Sequence, residues 1–167
     1  AMMHAIGAQK ACPGRQVISL SGDGGFTMMM GEMLSLKQLD IPAKIFVFNN
    51  QELAFIAMEM KAVGFLDYAT DFDNPNFADL AQAAGIKGIS IDDSSQVDVK
   101  IQEALNHNGP VIVNVNVDPQ ELSMPPKIAF DQAKGFSKYI INAILDGRGT
   151  DLKEMAETNW QKYKSIF

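Results

Sequence analysis

The run Ile45-Phe46-Val47-Phe48 is apolar at every position, so a strand built from it has no side to turn towards water. A strand buried on both faces belongs to a sheet with helices on each side, and such sheets are mostly parallel. The strand is read as Lys44–Phe48, and three further runs fit the same sheet: Gln16–Leu20, Gly88–Ile91 and Val111–Val117. The last becomes two-faced only at Asn114 and Asn116. Helical stretches fall between the strands, over Phe26–Leu39, from Asn76 to Ala84 with Gly85 as its stop, and from a Ser94 or Ser95 cap to about Asn106. In the last of these, Val99, Ile101, Ala104 and Leu105 mark the side expected to be buried. The fold class is α/β, a mostly parallel sheet with helices on both faces. A chain of 167 residues, 47% hydrophobic, can bury one sizeable core.

The chemistry gathers at two strand ends. Gly22-Asp23-Gly24-Gly25 follows the first strand and Asn49-Asn50 follows the second, with 27 positions from Asp23 to Asn50, one strand–helix–strand passage. Open α/β sheets place their ligands at such carboxyl ends. One carboxylate and one amide oxygen there suit a hard cation bound with a phosphate, and magnesium with a diphosphate is the natural pair. Gly24 and Gly25 let backbone amides approach a phosphate closely, and the dipole of the following helix favours its charge. Asp-Gly and Gly-Gly are also ordinary turn signals, and from the tetrapeptide alone that reading stays open.

The remaining segments carry weaker signals. Ala1 to Lys10 reads as the end of a helix packed under the sheet and stopped by Pro13-Gly14, as if the chain began inside a longer pattern. His4 has no partner cluster and reads as a surface or packing residue, and Cys12, beside Pro13, reads as inert. Leu53–Met60 is an apolar-rich run just beyond Asn50. Val63–Asn76 reads as a loop over the site or a subunit contact, and its acidic residues lack the spacing of a calcium loop. Asp118–Lys127, with Pro119, Pro125 and Pro126, is a linker. Phe136, Tyr139, Ile140, Ala143 and Ile144 then recur at helical spacing up to Gly147-Arg148-Gly149. Leu152, Met155, Ala156, Trp160, Tyr163, Ile166 and Phe167 mark an amphipathic C-terminal helix, which can dock on its own core, on a partner, or at a membrane interface. The domain boundaries expected are 1–118, 119–149 and 150–167.

A net charge of -6 and a pI near 4.8 argue against a nucleic-acid surface. The single Cys12 excludes an internal disulfide and a cysteine-based metal cluster, and a reducing compartment fits it. The sequence holds no apolar run of transmembrane length and no signal peptide.

The strand-end pair resembles the cofactor motif of the thiamin-diphosphate-dependent decarboxylases, oxidases and acetolactate synthases. Gly22-Asp23-Gly24-Gly25-Phe26, Asn49-Asn50, Phe55-Ile56-Ala57-Met58-Glu59-Met60-Lys61, Gln132-Ala133-Lys134-Gly135-Phe136, Gly147-Arg148-Gly149 and Thr158-Asn159-Trp160 are similar to the flavin-containing bacterial pyruvate oxidases. The resemblance implies the thiamin-diphosphate-binding fold with a C-terminal helical tail, as the last third of such an enzyme. It gives the magnesium shell to Asp23, Asn50 and the backbone carbonyl of Glu52, with Gly22, Gly24 and Gly25 on the cofactor, and leaves Asn49 to hold the turn. It places Phe55, Ile56 and Glu59 at the space between thiamin and flavin. There Phe55 would be an apolar wall and Glu59 a hydrogen-bonding group, against the plainer readings of core packing and a solvated carboxylate.

The activity implied is oxidative decarboxylation of pyruvate, with electrons passing through FAD to a quinone with acetate as product. Passing them to oxygen, with phosphate, would instead give acetyl phosphate and peroxide. A non-flavin enzyme such as an acetolactate synthase or 2-keto acid decarboxylase shares the Asp23 and Asn50 chemistry. The partners implied are pyruvate, the electron acceptor, further copies in a homo-oligomer, and a membrane surface reached by the C-terminal helix from the cytoplasm. In the family a bulky residue that bends the thiamin lies before the position of Ala1, a glutamate comes from a partner subunit, and the flavin sits mainly on a middle domain. Nothing here matches those regions, so this chain alone is expected to bind diphosphate and magnesium weakly and to turn over nothing.

Overall fold

The computed structural model describes residues 1–119 and 130–164, which fall into two compact units. The first comprises Ala1–Gln51 and Asp73–Val117. Its four strands, β1 (Ile18–Gly22), β2 (Lys44–Asn49), β3 (Lys87–Ile91) and β4 (Val111–Asn116), form one sheet in the order β1-β2-β4-β3. All pairings are parallel, with Gly22 beside Phe48, Val47 beside Asn114 and Asn49 beside Asn116. A parallel sheet sends every carboxyl end to the same edge, so Gly22-Asp23, Asn49-Asn50, Ile91-Asp92 and Asn114–Asn116 share it.

Side-chain alternation divides the core. Ile45, Val47 and Ile112 point to one face and pack with Phe26, Leu36, Phe77 and Ala81, together with Met2, Ala5 and Ile6 of α1 (Met2–Ala11). The Phe26 and Phe77 rings meet edge to face, their centroids 5.1 Å apart. Phe46, Val111, Val113, Ile89 and Ile91 line the other face under Ala104 of α6 (Val97–Asn106). Helices thus cover both faces, although Ile18 and Leu20 on the edge strand β1 stay exposed. Gly88 lies where α5 (Phe77–Ala83) crosses β3, and a Cβ there would stand 2.0 Å from the Ala78 carbonyl oxygen. At the amino end of β2 the buried Lys44 ammonium donates to the carbonyls of His107 and Gly109, each at 2.6 Å, while burial pushes its pKa down.

Three local expectations are corrected. The helix expected over Phe26–Leu39 is broken into α2 (Asp23–Thr27), a 3-10 turn at Met30–Glu32 and α3 (Met33–Gln38). Gly31 favours helix poorly, and Met28 and Met29 are exposed, so little packing holds that stretch in one cylinder. Five residues sum to only a short dipole, which weakens the dipole argument for phosphate. Neither Ser94 nor Ser95 caps α6; they lie in a 3-10 turn, Ser94–Gln96, that leads into it and is capped by Asp93, whose carboxylate accepts from the Ser95 amide and hydroxyl. Those bonds hold the Asp93 carboxyl below the usual carboxylate range. Val99 is 72% exposed, and Val97 packs inward with Ile101 instead.

The second unit comprises Glu52–Phe72 and the chain from Asp118 on. An antiparallel bridge pairs Glu52 with Asp71, and the Leu53 amide donates to the Thr70 carbonyl at 2.7 Å. The apolar run after Asn50 forms α4 (Ala54–Val63), which packs with α7 (Phe130–Leu145). Gly135 permits their close crossing, since a Cβ on it would lie 1.9 Å from the Ala62 carbonyl oxygen. Gly64, at φ +90°, ends α4 in the left-handed conformation, and Asn142 of α7 donates to its carbonyl at 3.0 Å. Tyr139, Ala143 and Met155 form the small core between α7 and α8 (Gly149–Lys164), with Phe136, Ile140, Leu152 and Leu66 around it.

The expected apolar stripes are only partly buried. Ile144 in α7 and Ala156 and Trp160 in α8 are exposed. The Tyr163 side chain, Ile166, Phe167 and the linker prolines Pro125 and Pro126 lie outside the described residues. No helix among the described residues is long and apolar enough to cross a membrane.

Candidate functional site

Asp23 emerges from β1 at the first position of α2 and is 2% exposed. Its Oδ1 accepts from the Gly24 amide at 2.8 Å, and its Oδ2 accepts from the Gln51 amide and from Asn74 Nδ2, each at 2.8 Å. Gln51 reaches this position from a left-handed conformation, φ +59°, which a side chain other than glycine adopts at a strain of order 1–3 kcal/mol. The loop after β2 is therefore bent so that its backbone turns back onto the carboxylate. Asn50, half-buried, occupies the turn between β2 and Gln51.

Gly22 and Gly25 flank the carboxylate. Neither has a positive φ, and a Cβ added to either meets nothing within 4 Å. Neither backbone conformation nor internal packing requires glycine at these positions. The room beside them is open to a ligand, which is what a loop that must approach phosphate oxygens needs.

Asn49 does more than hold the turn. It is 5% exposed, its Oδ1 accepts from Asn74 Nδ2 at 3.0 Å, and its own Nδ2 donates to Asn114 Oδ1 at 3.0 Å. The sequence does not mark Gln51, Asn74 or Asn114 as site residues; Asn114 reads as a polar break in an apolar strand, and Asn74 falls within the loop at 63–76.

Glu52 lies in the second unit, at the bridge to Asp71. Phe55, Ile56 and Glu59 share the solvent-facing side of α4, with Phe55 70% exposed, while Ala57 and Lys61 take the buried side. Core packing therefore does not explain Phe55.

Among the described residues no three His, Cys, Asp or Glu side chains cluster to hold an ion, and no Lys or Arg forms an ion pair with Asp23. A donor set of one carboxylate and one amide suits a hard cation that keeps waters and takes phosphate oxygens for the rest of its shell.

Residues 1–115 match the model of the thiamine pyrophosphate enzymes' C-terminal TPP binding domain, TPP being thiamin diphosphate. A putative thiamine pyrophosphate-containing protein of Bacillus subtilis, YdaP, is 32% identical over 92% of the chain and 27% of its own length. The large subunit of Escherichia coli acetolactate synthase isozyme 2 is 36% identical over 72% of the chain and 22% of its own length. Among solved structures, a thiamine diphosphate-dependent 4-hydroxybenzoylformate decarboxylase of Rhodococcus jostii superposes with a TM-score of 0.64 at 28% identity. That match covers 68% of the chain and 22% of the decarboxylase. The chain thus spans about a quarter of the length of such relatives. With Asp23 and Asn50 at adjoining strand ends of a parallel sheet, the chain belongs to the thiamine pyrophosphate enzymes, as their C-terminal TPP-binding domain.

Proposed function

We propose that this domain serves a thiamin-diphosphate-dependent enzyme that cleaves or forms a carbon–carbon bond beside the carbonyl of a 2-keto acid, of the acetolactate synthase or 2-keto acid decarboxylase kind. The observation that carries the reading is the buried Asp23 carboxylate, which has three N–H donors and no cationic side chain beside it among the described residues. Burying a carboxylate without a counter-charge costs several kcal/mol. Hydrogen bonds offset part of that cost, and a divalent cation offsets more.

Oδ2 already accepts two hydrogens and Oδ1 only one, so Oδ1 keeps a lone pair for magnesium. The Asn50 amide oxygen would be a second ligand. The Glu52 carbonyl would be the third ligand, as the resemblance implies. Gly22, Gly24 and Gly25 would leave the diphosphate room against the backbone. When bound, thiamin diphosphate supplies the electron sink for the carbanion formed beside the substrate carbonyl. Phe55, Ile56 and Glu59 are kept as substrate-side residues, a role their exposure on one face of α4 supports.

A second reading is the flavin-dependent pyruvate oxidase expected from the motifs. It rests on the motifs beyond the cofactor loop, at residues 55–61, 132–136, 147–149 and 158–160. That reading adds FAD held mainly by another domain, a quinone or oxygen as acceptor, and contact of α8 with the inner face of the cell membrane. In either case the full protein is proposed to be cytoplasmic and homo-oligomeric, with the chain organised as 1–118, 119–149 and 150–167.

Calorimetry with thiamin diphosphate and Mg2+ tests the site. Binding by the parent chain that is lost in Asp23→Ala is expected, and equal binding by both would sink the metal bridge. Flavin absorbance and the product formed from pyruvate, acetolactate or acetate, separate the two readings in the full-length protein. The isolated chain should reduce no dye with pyruvate.

A further inference from the structure

We infer that Asn74, Asn49 and Asn114 are positioning residues for the cation site, joined in an amide relay whose donations diverge from Asn74, to Asp23 on one side and through Asn116 to Asp92 on the other. The inference rests on the reading above, in which Asp23 holds a divalent cation. Asn74 uses both hydrogens of Nδ2, one on Asp23 Oδ2 at 2.8 Å and one on Asn49 Oδ1 at 3.0 Å. Asn49 Nδ2 donates to Asn114 Oδ1 at 3.0 Å, Asn114 Nδ2 donates to Asn116 Oδ1 at 2.9 Å, and Asn116 Nδ2 donates to Asp92. The relay crosses the carboxyl edge of the sheet from β1 to the end of β3.

The direction of each donation follows from what sits at the relay's ends. An ionised carboxylate only accepts, so Asn116 must turn its NH2 to Asp92 and keep its oxygen for Asn114. Asn114 then keeps its oxygen for Asn49, an orientation the Phe77 amide also enforces by donating to that oxygen at 3.4 Å. Asn49 in turn keeps its oxygen for Asn74, which must present NH2 to both acceptors. Reversing Asn74 would set its carbonyl against the Asp23 carboxylate. Asn49 and Asn114 are 5% and 1% exposed, so leaving either amide unpaired costs about 1–3 kcal/mol. With Asn74 and the Gln51 amide filling Oδ2, the lone pair left on Oδ1 is the one offered to the cation.

Manganese(II), a hard divalent probe with an electron-spin signal, tests this by titration of the 167-residue chain in saturating thiamin diphosphate. Parent, Asp23→Ala, Asn74→Ala, Asn116→Ala and Asn74→Ala/Asn116→Ala are compared, with a thermal melt of each. Asp23→Ala should abolish binding. Asn74→Ala should weaken it about 10- to 100-fold, the usual effect of removing a partner that orients a metal ligand. Asn116 is exposed, so Asn116→Ala should fold as the parent does and weaken binding less. The relay reaches Asp23 only through Asn74, so the second change should add nothing to the first.

Parent-like manganese affinity in Asn74→Ala and Asn116→Ala, with Asp23→Ala inactive in binding, overturns the relay and leaves the functional reading standing. Additive losses overturn it too, because they mean separate contributions. Should Asn74→Ala fail to fold, parent-like affinity in Asn116→Ala overturns it by itself. A parent that binds manganese no better than Asp23→Ala overturns the functional reading, and the relay with it.

Discussion

Gly25→Ala should make the apo domain more stable and the cofactor site worse. Gly25 lies inside α2, has no positive φ, and a methyl group built on it meets no atom within 4 Å. Replacing such a glycine stabilises by about 0.4–1 kcal/mol, largely by restricting the unfolded chain. For a unit of this size that corresponds to a rise of roughly 2–8 °C in melting temperature. If a phosphate oxygen must come within hydrogen-bonding reach of this backbone, the same methyl fills the space it needs. Loss of one charge-assisted hydrogen bond is worth roughly 1.5–3 kcal/mol, or about 10- to 150-fold in affinity. Melting the apo chain by circular dichroism and titrating it with thiamin diphosphate and Mg2+ by calorimetry reads both effects on one sample. A variant that melts higher and binds the cofactor as the parent does would refute the assignment of Gly25 to a phosphate cradle. A variant that melts lower would refute the packing argument itself.

Gly135→Ala is the contrasting case: its Cβ would collide with the Ala62 carbonyl oxygen at 1.9 Å, forcing α4 and α7 apart. The overpacking should exceed the gain of about 1 kcal/mol in helix propensity and lower the unfolding free energy read from urea melts by a net of roughly 1–2 kcal/mol, and an unchanged midpoint would contradict the close crossing. Burial, with the nearby Asp67 and Asp151 carboxylates, raises the Tyr139 pKa, so as pH climbs the unfolded chain loses this proton before the folded one does. Stability should be fully kept below the ordinary tyrosine value near 10 and fall between it and the raised folded value, and urea melts of Tyr139→Phe should lack that part of the alkaline loss.

The layering of the first unit was legible because burial on two faces leaves a mark in composition. Ile45 to Val47 and Val111 to Val113 have no polar alternation and are buried, as a covered parallel strand requires, whereas Phe48 of the same run is 40% exposed near the end of β2. Strand order was not legible. That β4 inserts between β2 and β3 depends on contacts such as Val47 beside Asn114, which leave no trace at either position alone. The break in the helix expected over Phe26–Leu39 is not legible because methionines satisfy a helical spacing without being buried; Met28 and Met29 face solvent. The grouping of α4 with the C-terminal helices was hidden for a different reason. It depends on Gly135, whose role exists only where two helices distant in sequence cross.

The candidate site divides along the same line. Asp23 and Asn50 could be found because each directly follows a strand, and strand ends are where such sheets bind ligands. Gln51, Asn74 and Asn114 could not be found that way, since they act through partners 28, 51 or 25, and 65 positions away. One clue was nonetheless available. An amide in a strand with both faces covered must find a hydrogen-bond partner inside the protein, and Asn114 sits in such a strand. In a parallel sheet the carboxyl ends lie together, so the nearest candidates are the polar residues closing the other strands, Asn49 among them. Polar breaks near the ends of apolar runs can therefore be paired with one another before any coordinates exist. The pair so obtained here, Asn49 with Asn114, is the middle link between the exposed Asp92 and the buried carboxylate of Asp23.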